Sequence, residues 1–455
     1  MGVAIDTVKG KPNRSSHPFD SLVGAAGKSM LLVGAGGCGM RGLAAFFLDA
    51  GWQVYGQDAG GFQSTDPLLA AGMKEWPAAS AAAPAVSWVV RSAAVAAQDS
   101  HVCSAVAGGA RGALYAEMLG ELSKIRPVFA VAGSHGKTTC TAWIAYGLRA
   151  AGMDTGFLVG AFVPQLGASA YWGDSSLPLI VESCEYARSF HHLRPKNIAL
   201  INVDAEHPDT YPGGLPEVEL AFEHFIGLMD SSGTVFAGPE TPDLAVSSAG
   251  GWEDCELLPD SFEIGLAGHH NRRNGALVAT VLRAFGLDEK AVKHALATFQ
   301  GAARRLEEIG YTKNGALVVS DYAHHPVEVK ATLQAARERW PQRRLMVVFQ
   351  PHQAQRFHAY RDLFAPSLDD ADALLLLEIY RSRDPEELQA SVAELVPELN
   401  KRSSNLPGAP RPDRPLRVVQ NPQEGCKILT SWLLPDDIVL CLGAGDVDVF
   451  ARQLL

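Results

Sequence analysis

No two of the seven cysteines in this 455-residue chain, at 38, 103, 140, 184, 255, 426 and 441, form a C-x-x-C pair. Scattered and odd in number, they argue against a disulfide framework or a zinc ribbon and suit reduced cytoplasmic thiols. A basic excess is missing too. The formal net charge of −11 leaves no broad cationic face for nucleic acid or acidic membrane, although a local pocket for a phosphorylated small molecule stays compatible with it. No stretch approaches the ~18 uninterrupted apolar residues of a membrane span, and the first twenty residues lack the apolar run of a signal peptide. The expectation is a cytoplasmic protein without a nucleic-acid partner or membrane insertion, its oligomeric state open.

What is present is a globular α/β pattern. Hydrophobic residues make up 47% of the chain, enough to bury a core, and the length implies two to four domains. Short apolar runs alternate with amphipathic stretches. Strands are expected at 30–33, 53–56, 86–90, 128–132, 179–181, 198–203, 317–320, 345–349, 373–377 and 438–442. Helices are expected at about 38–50, 137–150 and 327–340. That alternation predicts parallel sheets. The alanine- and glycine-rich run 78–110 resembles a linker, but its apolar stretch VSWVV keeps it inside the first domain. The Pro/Arg-rich run 402–415 reads as a solvated loop. The expected architecture has three domains, with boundaries near 126 and 302. These are a Rossmann-like N-terminal domain (1–126), a central phosphate-loop ATPase-type parallel sheet (127–302) and a Rossmann-like C-terminal domain (303–455).

Two glycine segments carry chemistry. Gly34, Gly36 and Gly39 fit G-x-G-x-x-G between a strand and a helix, and Asp58 follows about 20 residues on, as in a dinucleotide fingerprint. The same glycines, with the N–H groups of a helix start, suit any diphosphate, so NAD(P), a UDP-sugar and a plain tight turn all remain open at this point. The second segment, Gly133-Ser134-His135-Gly136-Lys137-Thr138-Thr139, is a shortened phosphate-binding loop, since the full G-x-x-x-x-G-K-[ST] pattern would place glycine at Val131. In such a loop Lys137 is the charge on the β/γ-phosphates and Thr138 or Thr139 supplies a hydroxyl for Mg²⁺. A capped strand-to-helix turn would explain the glycines and threonines, but not Gly-Lys-Thr-Thr together. Glu182, ending an apolar strand, calls for donors or a cation. The His pairs 191–192, 269–270 and 324–325 would on their own be structural, and 191–192 is read so.

GSHGKTT resembles the ATP loop of the Mur ligases, ATP-dependent amide-forming enzymes of peptidoglycan synthesis. GAGGCGM at 34–40, Ser92-Ala93-Ala94 and Ala116-Glu117-Met118-Leu119 resemble the family's UDP-sugar domain. VESCEYARSFHHLRP (181–195), INVDAEHPDTY (201–211) and HHNRRNGALVA (269–279) resemble its central segments. FQGAARRLEEIG (299–310) resembles its domain junction, and DYAHHPVEVKAT (321–332) and FQPHQAQRF (349–357) its third domain.

The resemblance implies ATP as co-substrate, two Mg²⁺ ions and an acyl-phosphate route from UDP-N-acetylmuramate and L-alanine to the amide. It implies nucleotide contacts from Gly133, His135, Gly136, Lys137, Thr138, Thr139, His270, Asn271, Asn274 and Asp321. Metal ligands would be Thr138, Glu182 and His207. Catalytic roles would fall to Lys137, Glu182, His325, His352 and Arg356. The UDP-sugar would meet Gly34, Gly36, Gly37, Gly39, Met40, Asp58 and Ser92, which turns the first glycine segment toward a UDP-sugar. Domain closure over the nucleotide is the corresponding expectation.

The chain departs from the family pattern at four places. Gln353 and His358 stand where arginines are usual, and Cys184 and Ala187 where acids are usual. These changes leave the acceptor amino acid open. A murein-tripeptide recycling ligase, a glycine- or serine-adding ligase and a weakened ATP-binding regulator are the readings nearest to hand. An NAD(P) oxidoreductase, favoured by the Gly34 segment alone, is the reading from another class.

Overall fold

The computed structural model describes residues 21–77, 82–244, 250–381, 384, 387–405 and 413–455. Within them the chain forms three sheets. The first has the order Lys74–Glu75, Gln53–Gln57, Ser29–Val33, Trp88–Arg91, Arg111–Leu114, all parallel. Its central strand is buried on both faces, which is why it reads as the unbroken apolar run Met30-Leu31-Leu32-Val33 instead of alternating. The second sheet has seven strands, in the order Gly251–Asp254, Thr234–Glu240, Asn197–Asn202, Val128–Ala132, Leu179–Glu182, Phe157–Val163, Ala168–Tyr171. It is parallel except for the edge pair Phe157–Val163 and Ala168–Tyr171. In the third sheet, Glu307–Tyr311 pairs antiparallel with Leu317–Asp321, and Ile438–Leu442, Leu345–Phe349, Ala373–Leu377 and Leu416–Val419 follow in parallel.

These sheets fall into two compact units. The first comprises residues 1–206, 210–265 and 273–300 and holds the first two sheets; the second comprises 207–209, 266–272 and 301–455 and holds the third. Within the first unit one apolar core runs from Met30, Phe46 and Phe47 through Leu158 and Phe222 to Val235. Arg126 fastens this region: its buried guanidinium donates to the carbonyls of Leu177, Trp172 and Asp174, and burial pulls its pKa down to about 10. The Trp172 ring packs edge-on against Phe46, and its backbone N–H donates to Asp49 at 2.9 Å.

Most strands lie within a residue or two of their expected places, and helix Lys137–Ala150 lies where it was expected. One expectation fails. Residues 402–405 of the supposed loop continue helix Val396–Asn405, because Ser403 Oγ bonds back to the Leu399 carbonyl and Arg402 forms a two-pronged pair with Asp369. The rest of that run through 412, and residues 78–81 of the alanine-rich run, lie outside the described residues.

Candidate active site

In the second sheet, strand Val128–Ala132 lies between Asn197–Asn202 and Leu179–Glu182. Chain order departs to both sides of it, and in open α/β sheets such a switch point opens a crevice beyond the strand ends. The shortened loop leaves the sheet there. Gly133 has φ +152°, and an added Cβ would sit 2.9 Å from Ile201 Cβ. Gly136 takes φ +79° as the residue before helix Lys137–Ala150, and its added Cβ would meet Asn274 Oδ1 at 3.1 Å. Both glycines are therefore required by close approach as well as by conformation. The loop is braced from the neighbouring strand, since His135 N donates to Asn202 Oδ1 at 2.9 Å and Asp204 N to Ser134 Oγ at 2.8 Å.

Lys137 is held inside its own loop. Its ammonium donates to the Gly133 carbonyl at 2.7 Å, to the Ser134 carbonyl at 2.9 Å and to Glu185, whose Oε2 is 2.8 Å away. Burial alone would lower this ammonium's pKa, but the Glu185 charge beside it lifts it above the ordinary lysine range. Glu185 is 0% exposed, so removing either partner would strand a buried charge, a loss of about 3–5 kcal/mol. Thr138 Oγ1 donates to Glu182 Oε1 at 2.9 Å, and Gly160 N donates to Glu182 Oε2 at 2.6 Å. Gly160 permits that contact because a Cβ there would lie 2.7 Å from the carboxylate. Among the described residues no cluster of three or more His, Cys, Asp or Glu side chains is arranged to hold a metal by itself. The Thr138 hydroxyl and Glu182 carboxylate are hard oxygen donors on adjoining elements. They suit Mg²⁺, which takes few protein ligands and completes its shell with phosphate and water.

The first glycine turn belongs to the same unit. Gly34 has φ +77°, and its N–H donates to the Gln57 carbonyl at 2.9 Å. Ser92 stands against Gly34, 3.0 Å from where a Cβ would be, and Gly37 precedes helix Cys38–Asp49. Asp58 is turned onto the turn itself, accepting from Gly36 N at 2.8 Å and Gly60 N at 3.1 Å. Met40 is packed in the apolar core instead of lining the turn, since the helix places it on the buried face. Tyr115, a residue that no motif flagged, lies under Gly39, its ring carbon Cζ 3.2 Å from a Cβ position there. Burial raises the Tyr115 phenol well above its ordinary pKa, and the nearby Glu182 carboxylate adds to the rise.

In the second unit the ends of strands Leu317–Asp321 and Leu345–Phe349 carry another cluster. Arg356 Nη1 donates to Gln353 Oε1 at 3.1 Å and lies 3.3 Å from His352 Nδ1; its Nη2 lies 3.4 Å from His207 Nδ1. The His352 ring stacks on Tyr380 at 5.7 Å and meets His324 edge-on at 5.7 Å. His324 and Tyr380 were not singled out. His324 is the first of a pair whose second member looked equivalent, and Tyr380 belongs to no quoted motif. His325 instead caps helix Pro326–Arg339, its Nδ1 accepting from Val327 N at 3.4 Å while Glu328 reaches back to the His325 N–H. Asp321 is likewise committed within its unit. Its buried carboxylate accepts from Leu306 N at 2.7 Å and Ala323 N at 2.8 Å, and burial raises its pKa. His270 lies against Gly268, and Asn271 Nδ2 donates to the Ala267 carbonyl at 2.7 Å. Asn274, in the first unit, borders Gly136.

Parallel sheets ending in glycine turns, one followed by Lys-Thr-Thr at a helix start, define a multi-sheet α/β protein whose helix starts suit phosphate groups. Residues 31–126 match the model described as the Mur ligase family, catalytic domain, and residues 304–445 match the Mur ligase, glutamate ligase domain. The chain is 32% identical to a UDP-N-acetylmuramate–L-alanine ligase of Roseiflexus sp. (strain RS-1), with 91% of this chain and 96% of that protein covered. It is 31% identical to the enzyme of the same name from Chloroflexus aggregans, covering 93% and 97%. In structure it is similar to the UDP-N-acetylmuramate-alanine ligase of Thermotoga maritima, with TM-score 0.71, 22% identity and coverage of 94% and 98%. It is also similar to a murein peptide ligase of Psychrobacter arcticus, with TM-score 0.68, 23% identity and the same coverage. The chain belongs to the Mur ligase family and is a ligase.

Proposed function

We propose that this ligase joins L-alanine to UDP-N-acetylmuramate at the expense of ATP, passing through an acyl phosphate. The support that carries the reading is the pairing of the Lys137 loop with Glu182 at a sheet switch point, in a chain 32% identical to ligases of that name over 91% of its length. A carboxylate and an amine do not condense in water unaided. In the proposed sequence the substrate carboxylate attacks the γ-phosphorus and ADP departs; the amine then attacks the acyl carbon and phosphate departs. The amine's proton is lost in the same step.

Positioning and charge neutralisation are what the protein contributes to such transfers. Lys137 and the N–H groups at the start of helix Lys137–Ala150 would receive the phosphates, with Thr139 beside them. Thr138 and Glu182 would hold Mg²⁺, which supplies charge neutralisation at the transferring phosphoryl group. The resemblance also nominates His207, and it assigns the adenine to His270, Asn271 and Asn274. The Gly34 turn with Ser92 would take the UDP diphosphate. Asp58 already bonds to Gly36 N, so its carboxylate is engaged with the turn instead of extending toward a ribose, which favours this reading over NAD(P). In the second unit His324, His352 and Arg356 would address the amino acid. Functionally the first unit would be two domains meeting near residue 126, and the third would begin near 302.

The test is phosphate release with MgATP and UDP-N-acetylmuramate, comparing L-alanine, glycine, L-serine and the murein tripeptide. Release that follows the tripeptide and not L-alanine would transfer the assignment to the recycling reaction. Saturable NADPH binding would revive the oxidoreductase.

A further inference from the structure

Glu185, inside the segment VESCEYARSFHHLRP and a candidate to share the role of Glu182, is the most deeply committed acid at the phosphate loop. Its side chain is 0% exposed and lies 2.8 Å from Lys137 Nζ. An ammonium has three donors, and the Gly133 carbonyl, the Ser134 carbonyl and Glu185 accept from all three. The charge that the proposed reaction needs on the phosphates is therefore already matched by a protein carboxylate.

The two partners differ in freedom. The Glu185 carbonyl accepts from buried Tyr211 Oη at 2.6 Å, and Ala187 and Arg188, two and three residues further on, hold left-handed φ of +50° and +54°. Arg188 is pinned by Glu217 at 2.6 Å, and Ala187 N donates to Thr210 Oγ1 at 3.3 Å. Consecutive non-glycine residues in that region persist only where their surroundings over-determine them. Lys137, by contrast, ends a four-carbon stem that can swing.

We infer that Glu185 is the resting counter-ion of Lys137, and that triphosphate binding exchanges this carboxylate for phosphate oxygens through a movement of the lysine while Glu185 stays in place. Glu185 is then a positioning residue that keeps the lysine parked, and its negative charge opposes nucleotide binding. The inference rests on the nucleotide reading of the loop.

Equilibrium titration with MgATP, in the absence of the other substrates, separates the two. Glu185→Gln keeps the shape and removes the competing charge, so the full-length variant should bind MgATP about tenfold tighter or more, while its ligand-free form melts below the wild type. An unchanged or weaker Kd, beside normal wild-type binding, would overturn the exchange alone. Absence of binding by the wild type would overturn the nucleotide reading and the exchange with it. If Glu185→Gln does not fold, the double variant Lys137→Met/Glu185→Gln should fold and melt above it, since no lone buried charge is left. A double variant no more stable than the single one would show that Glu185 does not serve as the lysine's counter-ion.

Discussion

At the scale of single residues, the backbone says more than the side-chain types do. The described non-glycine residues with positive φ are Ala187, Arg188, His207, Arg304, Leu306, Gln353 and Asp436, and all but Asp436 fall inside the quoted motifs. Such conformations cost about 1–3 kcal/mol each and gather where function over-rides comfort. Gln353 is the sharpest case. Its φ of 67° and ψ of 125° are a glycine-type combination, held by a hydrogen bond from its N–H to the Tyr380 carbonyl at 2.9 Å. This places Gln353 Oε1 against Arg356, at the position where the family usually has arginine. Gln353→Gly should therefore raise stability by about 1 kcal/mol in denaturant unfolding while lowering kcat/KM for the amino acid. Arg356→Ala should cut that kcat/KM about 10- to 150-fold, the worth of one charge-assisted hydrogen bond. An unchanged amino-acid dependence in Arg356→Ala would move the anion pocket elsewhere. The sequence displayed the residue types at 353 and 356; the strained φ that brings them together depends on tertiary contacts with Tyr380 and could not be read from it.

At the scale of elements, the interior strands were legible because burial on both faces leaves an unmistakable apolar run, as in Val128–Ala132, Leu345–Phe349, Ala373–Leu377 and Ile438–Leu442. Edge strands such as Lys74–Glu75, Arg111–Leu114 and Glu307–Tyr311 are partly exposed and carry charge, so no periodicity announces them. The two histidines 324 and 325 illustrate the same limit, because only the start of helix Pro326–Arg339 decides which one caps and which faces His352. Asparagine is a good cap. His325→Asn should hold stability to within about 0.5 kcal/mol and keep most activity, whereas His324→Ala should lose activity with the fold intact. The opposite order in a steady-state assay would restore His325 as the catalytic member.

Helix Cys38–Asp49 is tied to helix Pro67–Ala70 by a two-pronged Arg41–Asp66 pair, at 2.7 and 2.9 Å, and Asp66 also caps the second helix. The Arg41 hydrogen bonds hold the Asp66 carboxyl below its ordinary pKa. A depressed folded-state pKa contributes stability that is fully present above the unfolded value of about 4 and is lost as pH falls through the folded one. Wild type should thus out-melt Asp66→Asn near neutral pH, and the gap should close below about pH 4. A gap independent of pH would show that the carboxylate's charge contributes nothing.

At the scale of the whole molecule, the candidate residues are divided between two units with separate cores: the Lys137 loop, Glu182 and the Gly34 turn in one, and His324, His352 and Arg356 in the other. The order of motifs along the sequence implied such a division of labour. It did not show that the first two sheets share one continuous core, because Arg126, Trp172 and Asp49, which fasten that region, belong to no motif. Two cores of this kind should unfold as separable transitions in calorimetry. A ligand raises only the transition of the unit whose native form binds it, by RT ln(1 + [L]/Kd), or about 2.7 kcal/mol at a hundred times Kd. MgADP should therefore raise the transition of the unit carrying Lys137, and Lys137→Met should abolish that shift. If MgADP raised only the transition that Arg356→Ala perturbs, or if the shift survived in Lys137→Met, the assignment of the phosphates to the Gly133–Thr139 loop would fail.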